Sequence, residues 1–124
     1  MGWLEKVSAT QVVVDQDALA DADWFNQVVM LSPGEVAHCE VEYNAPSTPT
    51  DDCIVAVEAT LDESSENWDD TPILTFTISK SPDPNKRSFT VSGVYKFRVG
   101  VYMSGATDTT GTADFSYRKD GVSA

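Results

Sequence analysis

Apolar and polar residues alternate along most of this chain, and a period of two leaves little besides antiparallel β structure to fold into. Residues 35–43 put Ala37, Cys39, Val41 and Tyr43 on one face and Val36, His38, Glu40 and Glu42 on the other. That is the signature of a half-buried strand. Residues 53–61 repeat it with Cys53, Val55, Val57, Ala59 and Leu61 inward, and 73–79 offer Leu74, Phe76 and Ile78. Phe89 and Val91 point inward from 87–92, and 94–103 supply Tyr95, Phe97, Val99, Val101 and Met103, the longest strand expected. Ala113, Phe115 and Tyr117 close the series.

Turn chemistry separates these runs. Ser32-Pro33-Gly34-Glu35 combines a fixed φ with a residue that accepts positive φ, so 24–31 and 35–43 are expected to form a hairpin. Residues 6–14 read as one or two further strands and 17–23 as a single helical turn or a loop, of which the loop is preferred. Pro-rich 45–52 is too stiff and polar for a strand and suits a crossover between sheets, a Greek-key element. Exposed connections are expected at 80–86 and 104–112. The fold class is therefore all-β: a single-domain antiparallel β-sandwich, jelly-roll or Ig-like, of seven to eight strands. A length of 124 residues fits one domain spanning 1–124, in which 1–23 form a less regular segment available to dock on a neighbouring subunit.

Charge narrows the function. Twenty acidic residues against eight basic ones give −12, a balance that repels nucleic-acid phosphates and anionic membranes. No run is long and apolar enough for a membrane span and no signal peptide is readable, so Cys39 and Cys53 are expected as buried free thiols, with a bridge as the alternative where neighbouring strands bring them together. The charges are also segregated. Residues 1–71 carry 16 acids and only Lys6, net −15, whereas 72–124 carry seven bases and four acids, net +3. Glu40 and Glu42 sit on one strand face, Lys96 and Arg98 on another. Where such strands are neighbours the pairs neutralise each other; where they are not, acidic and basic patches suit contact between copies.

No catalytic constellation emerges. A nucleophile needs a base beside it, and the single histidine, His38, falls on the solvent face of a strand. No metal is expected: zinc lacks local Cys/His ligands, and the 15–23 acidic loop has Leu19, Ala20 and Asn26 where a calcium loop wants a carboxylate or amide, glycine and glutamate. Asp69 and Asp70 remain as a looser calcium candidate, and no cofactor is implied. Trp68, in the acidic loop with Asp69 and Asp70, is either a sugar-stacking platform or a cap on the open end of the sandwich. Trp24 is expected in the core. Trp3 with Leu4 forms an apolar anchor for a neighbour, and Lys96, Arg98, Arg118 and Lys119 are the bases expected to meet acidic surface there.

Ser32-Pro-Gly-Glu35 followed by Val36-Ala-His-Cys-Glu-Val, the Leu61-Asp…Trp68 segment, and Gly93-Val-Tyr-Lys-Phe-Arg-Val-Gly-Val101 with Ser104-Gly-Ala-Thr-Asp-Thr resemble strings in small all-β structural proteins of tailed bacteriophages. Head decoration or cement proteins and related head-fibre or tail components are the family meant, and the likeness spans most of 24–122. It implies a non-enzymatic virion protein, present in many copies, self-associating and bound to the major capsid protein or another virion protein. The alternative class is a tail, neck or fibre component, or a carbohydrate-binding module using Trp68.

Overall fold

The computed structural model describes residues 5–46, 51–63, 67–79, 85–105 and 111–121. Nine strands form in them: β1 (Val7–Ser8), β2 (Val12–Val14), β3 (Asp23–Met30), β4 (Val36–Asn44), β5 (Cys53–Thr60), β6 (Leu74–Ile78), β7 (Lys86–Val91), β8 (Lys96–Met103) and β9 (Gly111–Asp120). The longest is β9, not β8. At 17–23 the helical turn prevails over the preferred loop: Leu19–Asp21 make one turn of 3₁₀ helix, closed by Ala22 N–H donating to the Leu19 carbonyl (3.1 Å).

Two antiparallel sheets result, one ordered β1-β9-β4-β7 with β2 also on β9, the other β3-β8-β5-β6. The pairing has a simple origin. Strand β2 pairs β9, β3 pairs β8, β4 pairs β7 and β5 pairs β6, as in one long hairpin whose tip lies between β5 and β6. Rolling that hairpin brings β4 onto β9 and β5 onto β8. This is the jelly-roll arrangement, which resolves the choice of sandwich topology.

The hairpin expected between 24–31 and 35–43 does not form. Ser32–Glu35 do make a tight turn, with Glu35 N–H donating to the Ser32 carbonyl (2.9 Å) and Gly34 at φ 85°. The turn instead carries the chain from one sheet to the other, because β3 takes its partner from β8 and β4 takes its partners from β7 and β9. The 45–52 crossover changes sheets as expected, although 47–50 lie outside the described residues.

Alternation is honoured on the inner faces. Ala37, Cys39, Val41, Tyr43, Ala113 and Phe115 of the first sheet meet Phe25, Val29, Val55, Val57, Phe97, Val99 and Met103 of the second, all buried. Phe25 and Phe115 touch between sheets at 5.4 Å, and the Tyr43 hydroxyl donates to Met103 Sδ at 3.8 Å. Cys39 and Cys53 are free and buried in opposite sheets, where burial pushes each thiol up to about 12. Leu61, expected inward, is 76% exposed, because β5 ends at Thr60.

Candidate functional site: an aromatic and cationic face on the second sheet

Alternation on β8 sends Phe97, Val99 and Val101 inward and Lys96, Arg98 and Gly100 to the outer face of the second sheet. Register then decides their company. Arg98 lies between Val28 of β3 and Glu58 of β5, Lys96 between Met30 and Thr60, and Gly100 between Trp24 and Ala56. Trp24 is therefore not a core residue. The register shifts between Trp24 and Val28, and the indole lies across Gly100 so closely that a Cβ there would stand 2.5 Å from Trp24 Cε3. Glycine in a strand interior marks this kind of close approach.

Arg98 is the centre of the face. Its Cζ lies 4.0 Å from the Trp24 ring centroid and 4.9 Å from that of Trp68. Its Nε and Nη2 both donate to Glu58 Oε1, at 3.0 and 2.6 Å. Lys96, only 2% exposed, donates from Nζ to the Glu63 carbonyl (2.9 Å) and lies 5.4 Å from the Trp68 centroid. The loop that brings Trp68 here is tied down by Asp62 N–H donating to Thr60 Oγ1 (2.9 Å), Asn67 Nδ2 donating to Asp62 Oδ2 (3.1 Å) and Asp69 N–H donating to the Ala59 carbonyl (3.1 Å). Trp68 thus lies over the sheet's own cations instead of capping the sandwich end. Asp69 and Asp70 are exposed beside it.

Around this fixed centre apolar side chains remain open. Val28 is 42% and Met30 49% exposed on edge strand β3, and Ile73 is 47% exposed just before β6. Tryptophan, arginine and methionine are the residue types that concentrate in protein interfaces. An arginine already held by two rings and a carboxylate gives up little freedom when a partner arrives.

The other expected contact residues are distributed differently. Trp3 and Leu4 lie outside the described residues. Lys96 and Arg98 do not face Glu40 and Glu42, because β8 and β4 belong to opposite sheets; Glu58 is the acidic neighbour of Arg98 instead, and Lys96 is opposite Thr60. Lys119 is turned inward to the seam between sheets, its Nζ donating to the Met30 carbonyl (3.0 Å) and standing 3.6 Å from Glu35 Oε1. The Ser32 N–H donated to Glu35, reinforced by Lys119, holds the Glu35 carboxyl below its usual range. Of these residues, among those described, only Arg118 is exposed, on the outer face of the first sheet. Sequence reasoning missed Trp24 and Glu58 as members of the face, yet Gly100, an isolated glycine between apolar strand residues, was the available signal.

Chemically the face is suited to contact. His38, 3.8 Å from Asp120, lies on the other sheet's outer surface. Among the described residues no group of three or more His, Cys, Asp or Glu side chains is arranged to hold a metal, and no helix is long and apolar enough to cross a membrane. In the 15–23 loop, burial holds the Asp23 carboxyl above its ordinary value; the Asp15 charge adds to this, and the Asp15 N–H it accepts opposes it. No protein-family model matches the chain, and comparison with curated proteins gives no match.

Proposed function

We propose that this chain is a non-enzymatic structural protein of a tailed-phage virion, a capsid decoration or cement protein that docks on the major capsid protein or another virion protein. The carrying observation is the outer face of the second sheet, where Trp24, Arg98 and Trp68 form a rigid centre bordered by exposed Val28 and Met30. Truncating such a centre typically removes several kcal/mol of binding, and the surrounding apolar rim excludes water from it. Jelly rolls serve in viral capsid and lectin domains alike. The fold is thus compatible with the resemblance carried by residues 24–122, and the site decides between uses.

The second reading is a carbohydrate-binding module, favoured by the half-exposed Trp68 beside Asp69 and Asp70. Against it, Arg98 and Lys96 already occupy ring surface that a stacked sugar needs. Particle occupancy separates the two. With Val28→Asp and Met30→Asp together, the protein should be lost from purified particles while its melting temperature changes by only a few degrees, since both side chains are already wet. Unchanged occupancy, or retention on a glycan array that Trp68→Ala abolishes, overturns the decoration reading.

A further inference from the structure

The outer face of the first sheet carries a row of basic side chains that the face on the second sheet does not use. His38 of β4 is opposite Arg118 of β9 and Thr90 of β7, and the pairing of Val7 with Tyr117 continues the row to Lys6. These side chains line one open groove of about 430 Å³ together with Glu40, Ser88 and Ser116. Like charges on neighbouring strands repel, and in a chain of net −12 with a single base among its first 71 residues such a row is conspicuous. Asp120 stands 3.8 Å from His38. Among the described residues, however, no carboxylate comes within ion-pair distance of Lys6 or Arg118.

The complement lies at the opposite end of the same molecule. Met103 N–H donates to the Gln16 carbonyl (2.7 Å) and Ser104 N–H to the Asp52 carbonyl (2.9 Å), which holds Gln16 and Asp52 at the same end of β8. Asp15, Asp17, Asp21, Asp23, Asp51 and Asp52 therefore gather where β2, β4 and β8 end, and the first three are exposed. The basic row sits toward the far end of β4, where β9 finishes.

We propose that copies of this chain associate head to tail, the acidic end of one seated in the Lys6–Arg118 groove of the next. Seating one end in one groove leaves each copy with a second surface still open, so this contact is heterologous and propagates from copy to copy. Each contact is weak alone and gains from repetition along an array. The proposal does not rest on the virion reading, because it uses neither the second-sheet face nor a foreign partner.

Sedimentation velocity of the full chain tests it. Wild type should form concentration-dependent oligomers at about 0.02 M salt and dissociate at about 0.5 M, where screening acts within a few ångströms. Lys6→Glu with Arg118→Glu should lower the association constant at least about tenfold, and Asp17→Lys with Asp21→Lys should do the same. The second pair is decisive, since it reduces net negative charge: mere relief of self-repulsion predicts stronger association, and this contact predicts weaker. Mixing the two variants should restore association, because the unaltered acidic end of the first fits the unaltered groove of the second and the reversed end of the second fits the reversed groove of the first. A wild type that stays monomeric at low salt, an Asp17→Lys/Asp21→Lys variant that associates as well as wild type, or a mixture that stays apart overturns the proposal.

Discussion

The two outer faces of this sandwich are built from the same alternation and differ in what lies over them. On the first sheet His38, Glu40, Glu42 and Ser116 alternate with buried neighbours and meet solvent, the ordinary condition of an antiparallel sheet with one wet side. On the second, Ala56, Gly100 and Lys96 are buried although they point away from the core, because Trp24 and the Trp68 loop lie across them. The backbone permits either outcome. A glycine that lets an indole descend, and a guanidinium that two indoles share, turn one face into a preorganised surface.

The largest test of this contrast is Arg98. Its side chain is 27% exposed and that of Glu58 12%, so Arg98→Ala strands a mostly desolvated carboxylate and opens the stack between the indoles. A loss of about 2 to 3 kcal/mol is expected, below the range for a fully buried pair, with a fall in melting temperature of roughly 10 °C. Adding Glu58→Ala should recover part of it, since no orphan charge then remains. Additive melting shifts in that double-mutant cycle would show that the ion pair does not organise the face.

Gly100→Ala comes next, at about 1 to 3 kcal/mol, because the new methyl group and the Trp24 ring compete for one volume. The cost should largely disappear in a Trp24→Ala background, as measured by chemical denaturation. A loss independent of Trp24 would place the constraint elsewhere.

At the seam between the faces, Glu35→Gln is expected to destabilise by less than Gly100→Ala, and in a pH-dependent way. The folded carboxyl is held below its ordinary value, so its contribution is complete above the normal glutamate range and is lost as pH falls through the depressed folded value. Wild type and variant should therefore differ most in thermal stability near neutrality and converge in acid. Smallest of all should be Ser88→Ala and Ser116→Ala on the first sheet, each within about 0.5 kcal/mol. Losses there comparable to that of Arg98→Ala would erase the distinction between the faces.

What was legible in the sequence divides along a physical line. Alternation reports which side chains share a face, and Ala37, Cys39, Val41 and Tyr43 are buried as it requires. It does not report which strand lies alongside. Ser32–Glu35 announced a tight reversal, but a reversal inside one sheet and a step between sheets use the same turn, and only the long-range pairing of β3 with β8 distinguishes them. Alternation places Lys96 and Arg98 on an outer face, but Arg98 stands opposite Glu58 only because β8 pairs with β5, and beside Trp24 only because β8 also pairs with β3. Trp24 looked like core because its size is usually buried inward. The shift of register after it redirected the ring.

The rolled hairpin also has a consequence in time. Its tip, where Val57 meets Leu74, closes a short stretch of chain, whereas its base, where Val14 meets Gly111, spans nearly all of it. Loop closure is cheapest at the tip, so folding should nucleate in β5 and β6 and zip outward through β4:β7 and β3:β8, with β2:β9 and then β1:β9 last. Chain topology of this kind gives slow folding for so small a protein. It also leaves the β2 and β9 edges exposed longest to partners from other chains.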